Sequence, residues 1–160
     1  KYQGIPVQSK SGHSFIKDKM REHNAVYGGE MSAHHYFRDF SYCDSGMIPW
    51  LLVVSVLSET GQSLSSLVEE MITKFPCSGE INFKVADTQI TIQKLFDHFA
   101  NQNPSIDHTD GVSLDFGAWR FNVRASNTEP LLRLNIETRL DQHPKPMQDY
   151  VDELTRLIQN

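Results

Sequence analysis

The sequence has little cysteine and no long apolar run. Its 160 residues include two cysteines, Cys43 and Cys77, which lie in different segments and do not form a Cys-x-x-Cys pair. This usage indicates neither a disulfide framework nor a zinc site, and a reducing cytoplasm fits it best. The longest apolar stretch, residues 47–57, is well short of the roughly 20 residues that span a bilayer. We therefore expect a core helix there and no membrane anchor.

The sequence also lacks an excess of positive charge. Its 20 acidic residues outnumber its 15 lysines and arginines, which gives a formal net charge of −5. A surface that binds nucleic acid needs a clustered cationic footprint. We therefore expect no nucleic-acid partner, and a phosphate ligand would have to be held locally. The opening residues, KYQGIPVQSK, contain no apolar signal segment, so nothing in them routes the chain to secretion.

Hydrophobic periodicity predicts both helices and strands along the chain. The stretch at 47–58 is apolar almost all round, which predicts a buried helix, and Thr91 is the predicted cap of the helix at 92–99. The predicted elements are helices over 13–23, 47–58, 64–75, 92–99 and 147–158, and strands over 25–27, 81–85, 119–124 and 132–137.

These elements predict two domains, of which the first is only part of a domain and the second is complete. The first half is α/β with too few strands to close its own sheet, and the second half reads β-α-β-β-α. We therefore predict a partial α/β domain over residues 1–76. An α+β domain over residues 77–160 should follow it, with a small antiparallel sheet and helices on one face.

The strongest candidate site is RASNTEP at residues 124–130, followed by Arg133 on the next strand. Two guanidinium groups, two hydroxyls and an amide are concentrated on one tight turn. Arginine donates paired hydrogen bonds to phosphate oxygens, and small polar residues let backbone amides approach an anion. The alternative is a polar hairpin turn whose arginines pair with Glu129 and Glu137.

A second candidate is GGEMSAHHYF at residues 28–37. Glu30 and Ser32 can hydrogen-bond to adjacent sugar hydroxyls, and His34 can move a proton near neutral pH. The alternative is an ordinary polar loop. Side chains one residue apart on an extended loop point to opposite sides, so His34 and His35 are not expected to share a metal ion.

A third candidate is KSGHS at residues 10–14, where a helix is predicted to begin. Free N–H groups and the helix dipole favour an anion or a polar ligand there. Alone the signal is weak, because a lone histidine near the start of a helix is more often a capping or surface residue, and His13 fits that description.

In this order, the three segments resemble the α-D-phosphohexomutase superfamily, and within it the bacterial phosphomannomutases, over nearly the entire chain. KSGHSFIKDKM resembles the Gly-His-Ser region of the third domain of that family, and GGEMSAHHYF resembles its sugar-recognition loop. RASNTEPLLRLNIET resembles the phosphate-binding loop of its fourth domain.

The resemblance implies a reversible shift of phosphate between O6 and O1 of a hexose. The family uses a phosphoserine on its first domain, a bisphosphorylated intermediate, and Mg²⁺ held by that phosphoserine and by an Asp-rich loop of the second domain. Neither the serine motif nor the Asp-rich loop occurs in these 160 residues. The resemblance therefore implies a C-terminal part that lacks its N-terminal domains, contains no metal ligands, and is inactive alone.

The resemblance also assigns roles to individual residues. Glu30 and Ser32 should contact the O3 and O4 hydroxyls of the sugar, His34 is the candidate acid/base group, and His13 should line the same cleft. Met31 favours mannose or glucose phosphates, and we expect mannose 6-phosphate; a phosphoglucomutase or a non-catalytic sugar-phosphate binding module is the alternative. The phosphate that is not transferred should be held by Arg124, Ser126, Asn127, Thr128 and Arg133.

Overall fold

The structure of the protein, a computed structural model, describes residues 3–126, 130–139 and 145–160. The predicted site residues Asn127 and Thr128 lie outside the described residues. The chain divides into two compact units, Lys1–Ser66 and Leu67–Asn160. The predicted domain boundary, between residues 76 and 77, stays a prediction.

The first unit combines a short helix with a small antiparallel sheet. The three strands lie in the order β1-β2-β3. The elements of this unit are α1 (His13–Glu22), β1 (Tyr27–Gly29), β2 (His35–Phe37), a 3₁₀ turn (Arg38–Phe40), β3 (Cys43–Asp44) and α2 (Met47–Thr60).

Helix α1 packs closely on the sheet at Gly28. The buried core of this unit consists of Ile16 and Met20 from α1 and Tyr36 from β2. A Cβ atom on Gly28 would lie 2.8 Å from Met20 Sδ and 3.1 Å from Ile16 Cγ2. The missing side chain at residue 28 therefore sets how near the helix lies to the strands.

The predicted strand at 25–27 overlaps β1 only at Tyr27, because the end of α1 takes up the residues before it. Asn24 adopts a left-handed φ of 48°, and the Ala25 amide donates to the Met20 carbonyl at 2.8 Å. This bond satisfies a carbonyl group of the last helical turn. The chain becomes extended only after that turn closes.

Helix α2 forms where it was predicted, but the prediction that it is buried is wrong. None of its residues is buried, and Trp50 and Leu51 are 57% and 55% exposed. A helix that is apolar on every side is buried only when other elements surround it. The three short strands of this unit do not cover α2 on all sides.

Helix α3 (Leu64–Lys74) follows and crosses from the first unit into the second. Among the described residues, no single helix has the length and apolar character needed to cross a membrane. Helices α2 and α3 meet that test only when they are counted together as a bent pair.

The second unit contains a five-stranded antiparallel sheet in the order β4-β8-β7-β6-β5. Helices α4 and α5 pack on one of its faces. The elements after α3 are β4 (Ile81–Lys84), α4 (Thr88–Phe99), a 3₁₀ turn (Ala100–Gln102), β5 (Ser105–Asp107), β6 (Val112–Asp115), β7 (Trp119–Ala125), β8 (Leu131–Thr138) and α5 (Met147–Gln159).

Alternation along β7 and β8 separates the core from a polar face. Every second residue from Trp119 to Val123 and from Leu132 to Thr138 points towards the helices and is buried, as Phe121 and Leu134 are. The residues between them, including Arg124 and Arg133, lie on the opposite face. The mixed architecture, with its small antiparallel sheet and helices, agrees with the predicted fold class.

Two features of this unit differ from the sequence prediction. Strands β5 and β6 were not predicted, because at three and four residues they are too short to show a clear alternation. The cap of α4 is Asp87 and not Thr91, since the helix begins earlier than expected. Asp87 Oδ1 accepts from the amides of Gln89 at 2.8 Å and Ile90 at 3.0 Å.

The N-cap of α4 leads to a stability prediction. Asp87→Ala should lower the free energy of unfolding by about 1 kcal/mol, because two amides of the first turn lose their acceptor. Asp97→Ala is the control, since it removes the same charge from an exposed position of the same helix; its effect should stay within about 0.5 kcal/mol. Urea unfolding followed by circular dichroism measures both. Equal losses in the two variants would show that the cap does not matter.

Candidate functional site

The loop between β1 and β2 carries three of the predicted site residues, Glu30, Ser32 and His34. It is closed by two backbone bonds: the Glu30 amide donates to the His34 carbonyl at 3.0 Å, and the Ala33 amide donates to the Glu30 carbonyl at 3.1 Å. Ala33 adopts a left-handed φ of 63°. The tight turn places the three side chains close together.

The carboxylate of Glu30 is held at both oxygens. Its Oε1 accepts the Gly12 amide at 2.9 Å, and its Oε2 accepts the Tyr36 hydroxyl at 2.6 Å. The side chain is 11% exposed. Because each carboxylate oxygen has two lone pairs, both retain the capacity to accept a hydroxyl group of a ligand.

His13 lies beside this carboxylate and contacts Tyr36. Its Nδ1 is 3.0 Å from the Tyr36 hydroxyl oxygen. Since Tyr36 donates its one proton to Glu30, the Nδ1–H of His13 donates to Tyr36. The Nε2 atom of His13 is then the nitrogen that can accept a hydrogen bond from a ligand.

His34 closes the cluster on its more exposed side. Its Nδ1 lies 3.1 Å from Ser32 Oγ and 3.5 Å from Glu30 Oε2, and its ring centroid is 4.9 Å from that of His13. His35 contacts Tyr27 instead, with 2.6 Å between its Nδ1 and the Tyr27 hydroxyl. The structure therefore brings together the four predicted residues of this unit, and we call this group the Glu30 cluster: His13, Glu30, Ser32 and His34.

Tyr36 was not singled out from the sequence. Its ring lies in the core, and its hydroxyl contacts His13 and Glu30 of the Glu30 cluster. Its side chain is fully buried between α1 and the sheet. Burial raises the pKa of Tyr36 far above its usual range, and the hydrogen bond to Glu30 and the charges of Glu30 and Asp44 raise it further. Alternation along β2 was an available signal, because it places Tyr36 on the same side as His34.

In the second unit, Arg124 on β7 lies directly opposite Arg133 on β8. Ser126 follows β7, and its amide donates to the Leu131 carbonyl at 2.8 Å to begin the turn. Arg133 Nη2 lies 3.3 Å from Ser126 Oγ. The structure therefore brings together the three described residues of the predicted phosphate loop.

Both arginines share one acidic partner, Glu80, which sequence reasoning missed. Arg124 Nη2 lies 3.4 Å from Glu80 Oε2, and Arg133 Nη1 lies 3.4 Å from each oxygen of that carboxylate. We call this group the Glu80 cluster: Glu80, Arg124 and Arg133. No local pattern reveals it, because Glu80 precedes β4, 44 and 53 residues from its partners.

In the alternative interpretation of this turn the arginines pair with Glu129 and Glu137, but the structure pairs Glu137 with Arg120 at 3.1 Å on the same sheet face. Glu129 lies outside the described residues. Asp110 Oδ2 is 4.0 Å from Arg124 Nε. The loop before β6 lies against Arg124 because Gly111, with φ of 74°, has no Cβ; such an atom would lie 2.5 Å from Arg124 Cβ.

Within residues 3–126, 130–139 and 145–160, no group of three or more His, Cys, Asp or Glu side chains is arranged to hold a metal ion. The side chains of the Glu30 and Glu80 clusters are suited to polar and anionic ligands. The chemistry they offer is hydrogen bonding to hydroxyls, proton movement by imidazole, and binding of an oxyanion by guanidinium groups.

Comparison with known proteins gives one consistent result. A model of the phosphoglucomutase/phosphomannomutase alpha/beta/alpha domain III matches residues 1–75, and a model of the phosphoglucomutase/phosphomannomutase C-terminal domain matches residues 80–154. A solved phosphoglucomutase/phosphomannomutase family protein from Burkholderia thailandensis superposes with a TM-score of 0.70 at 24% identity. The match covers 98% of this chain and 32% of that one, and it shows a shared fold.

Curated relatives are similar in sequence but longer. The chain is 65% identical to the "Phosphohexose mutases" of Xanthomonas campestris over 86% of its length, and 55% identical to the phosphomannomutase of Vibrio cholerae over 97%. The phosphomannomutase of Escherichia coli K12 is 55% identical over 86%. The matches cover 30–33% of these relatives, so the chain spans about a third of their length.

The hydrogen bond from Tyr36 to Glu30 leads to a prediction at alkaline pH. A folded-state pKa raised above the ordinary value near 10 gives a stabilisation that is present below about pH 10 and lost as the pH rises above it. Replacing Tyr36 by Phe removes the ionising group. The melting temperature of Tyr36→Phe should therefore fall less between about pH 9 and pH 11 than that of the wild type.

Tyr42→Phe is the control, because Tyr42 packs beside the same core but does not contact Glu30. A smaller fall in melting temperature for Tyr36→Phe than for Tyr42→Phe would assign the effect to the hydroxyl that contacts Glu30. If Tyr36→Phe and the wild type lost the same number of degrees over this range, the alkaline loss would arise from other groups.

Proposed function

The chain belongs to the phosphoglucomutase/phosphomannomutase family, and on that premise we propose that it is the substrate-binding C-terminal part of a phosphomannomutase. The whole protein would interconvert mannose 6-phosphate and mannose 1-phosphate by shifting the phosphate through a bisphosphorylated intermediate. The observation that carries the proposal is the pair of ligand-binding groups in one chain. The Glu30 cluster suits sugar hydroxyls, and Arg124 with Arg133 suits a phosphate.

The Glu30 cluster supports a role in sugar binding and proton transfer. Both oxygens of Glu30 are fixed by protein donors, so its orientation is set before a sugar binds. A hydroxyl that attacks phosphorus must lose its proton, and the departing oxygen must gain one. His34 is 44% exposed, and its Nδ1 lies 3.5 Å from Glu30 Oε2. We assign the acid/base role to His34, and hydroxyl binding to Glu30, Ser32 and His13.

The two arginines support a role in holding the phosphate that is not transferred. Hydrogen bonds from guanidinium to phosphate are charge-assisted, and paired donors fix the orientation of the anion as well as its position. Ser126 adjoins Arg133 and adds a hydroxyl. We extend the site to Asn127 and Thr128 from the family loop alone. Phosphoryl transfer depends mainly on positioning and charge stabilisation, which these groups supply.

The family is generally metal-dependent, and we propose Mg²⁺ as the metal of the whole protein. From the family resemblance we assign both the metal and the phosphoserine to N-terminal domains of the same polypeptide. A cytoplasmic location, with no nucleic-acid or membrane partner, is part of the same proposal.

A phosphoglucomutase of the same superfamily is the second candidate. The Xanthomonas relative, 65% identical, is named for phosphohexoses without restriction to mannose. Rates of the whole protein with mannose 1-phosphate and glucose 1-phosphate distinguish the two candidates. Activity with neither sugar would leave a sugar-phosphate binding module without catalysis.

Catalysis should require more than these 160 residues. We expect the whole protein to convert mannose 1-phosphate to mannose 6-phosphate in the presence of Mg²⁺, and the isolated chain to show no conversion above background. The reason is that binding groups alone do not break a phosphate ester. A coupled assay on both proteins, each of verified mass, makes the comparison. Conversion by the isolated chain would show that it contains a phosphoryl donor of its own.

Losing either arginine should weaken binding of the sugar phosphate. Hydrogen bonds to charged groups contribute on the order of 1.5–3 kcal/mol, so Arg124→Ala or Arg133→Ala should reduce affinity for mannose 1-phosphate roughly ten- to a hundredfold. Arg124→Lys should restore only part of it, because lysine keeps the charge without the paired donors. Calorimetric titration of the whole protein measures the affinities.

Arg120→Ala is the matched control, since Arg120 lies on the same sheet face and pairs with Glu137 instead of Glu80. Its affinity should equal that of the wild type. Unchanged affinity in both Arg124→Ala and Arg133→Ala would remove the phosphate site from this loop. A large loss of melting temperature in those variants would instead support a structural, salt-bridged turn.

A further inference from the structure

We propose that Glu80 is a built-in competitor for the phosphate. Its carboxylate occupies the two arginines when no phosphate is bound and weakens phosphate binding when one arrives. The inference rests on the proposed function, because it takes Arg124 and Arg133 to be phosphate ligands. It goes further because it assigns a role to Glu80, an acidic residue outside the phosphate loop. That role is to lower the affinity of the loop for its phosphate.

The geometry places Glu80 on the donors that a phosphate needs. Its oxygens face Arg124 Nη2 and Arg133 Nη1, each at 3.4 Å. The other terminal nitrogen of Arg133 faces Ser126 Oγ at 3.3 Å. One guanidinium group therefore extends from the carboxylate to the start of the phosphate loop. A phosphate at this loop would meet donors that Glu80 already occupies.

The charges explain why a carboxylate is needed there in the absence of ligand. Arg124 and Arg133 are direct cross-strand neighbours, and like charges in that position repel each other. Among the residues that the structure describes, Glu80 is the one carboxylate within 3.5 Å of both guanidinium groups. The Asp110 carboxylate lies farther away, at 4.0 Å from Arg124. Glu80 therefore lets the two guanidinium groups lie side by side before the phosphate binds.

The contacts are also loose enough to be exchanged. Strong charge-assisted hydrogen bonds between nitrogen and oxygen measure about 2.7–2.9 Å, so distances of 3.4 Å leave room for a better acceptor. A phosphate group carries up to about two negative charges, against one on Glu80. It is the stronger partner for the same donors.

The backbone of Glu80 is held near the arginines even if its side chain is displaced. The residues after it are fixed in β4, where Ile81 pairs with Leu134 and Asn82 pairs with Arg133. The side chain is 26% exposed, so its charge is only partly screened by water. The bound phosphate would therefore remain close to a second negative charge. The result is weaker binding and faster release than two arginines alone would give.

The test is Glu80→Gln in the whole protein, because glutamine keeps the shape and one acceptor but removes the charge. We expect mannose 1-phosphate to bind roughly three- to thirtyfold more tightly than in the wild type, with slower dissociation. Inorganic phosphate should show the same direction of change, since the effect does not involve the sugar. Calorimetry gives the affinities and stopped-flow displacement gives the release rates.

Glu137→Gln is the matched control. It makes the same substitution on the same sheet face, next to Arg120, which lies outside the Glu80 cluster. It should leave both affinities unchanged. Equal tightening in Glu80→Gln and Glu137→Gln would mean that a general loss of negative charge causes the effect, and would overturn the specific role of Glu80.

Two other outcomes separate this inference from the proposed function. If Arg124→Ala weakens binding but Glu80→Gln binds with equal or lower affinity and an unchanged melting temperature, the competitor role is wrong while the phosphate site stands. If Arg124→Ala and Arg133→Ala change nothing, the phosphate site itself fails. If Glu80→Gln folds poorly, Glu80→Asp replaces it, because the shorter side chain moves the carboxylate away from the arginines by one methylene. Tighter binding of mannose 1-phosphate by Glu80→Asp would support the inference, and equal or weaker binding would overturn it.

Discussion

The pairing of β7 with β8 is the constraint on which the second unit depends. Seven residue pairs in register, from Trp119 with Thr138 to Ala125 with Leu132, place apolar side chains on the helix face and polar ones on the other. A shift by one residue would exchange the two faces along the whole strand. The same register brings Arg124 opposite Arg133. Core packing and the position of the two arginines on the opposite face therefore have one common cause, and the core protects the geometry of that face.

The first unit reaches a similar result by a different route. Tyr36 packs its ring into the core and directs its hydroxyl to the carboxylate of Glu30. The backbone of Gly12, at the start of α1, holds the other oxygen of that carboxylate. An acidic side chain on a loop is thus oriented by one strand and one helix. In each unit a carboxylate contacts groups that lie elsewhere in the sequence: Glu30 accepts from Gly12 and Tyr36, and Glu80 lies beside Arg124 and Arg133.

The features that depend on neighbouring residues in the sequence, such as the positions of strands and helices, could be predicted from the sequence. Alternation predicted β7 and β8, helical spacing predicted α1 and α5, and the order of three motifs pointed to the residues that form the Glu30 cluster. Properties set by distant contacts were not predictable in this way. The burial of α2 depends on elements that must surround it, and the partner of Arg133 lies 53 residues away. The cap of α4 was misplaced by four residues because Asp87 and Thr91 are both good capping residues.

Gly28 connects the tight packing of α1 to the predicted sugar site. A side chain there would press on Met20 and Ile16, so these buried side chains would have to shift or α1 would have to move away from the strands. Gly12 leads into that helix, so its amide would draw back from Glu30 as the helix moved. A substitution at residue 28 would then reduce ligand affinity without altering a predicted ligand-binding group. In a random mutagenesis screen it would be scored as a binding-site mutation, although its primary effect is on the spacing between a helix and a sheet.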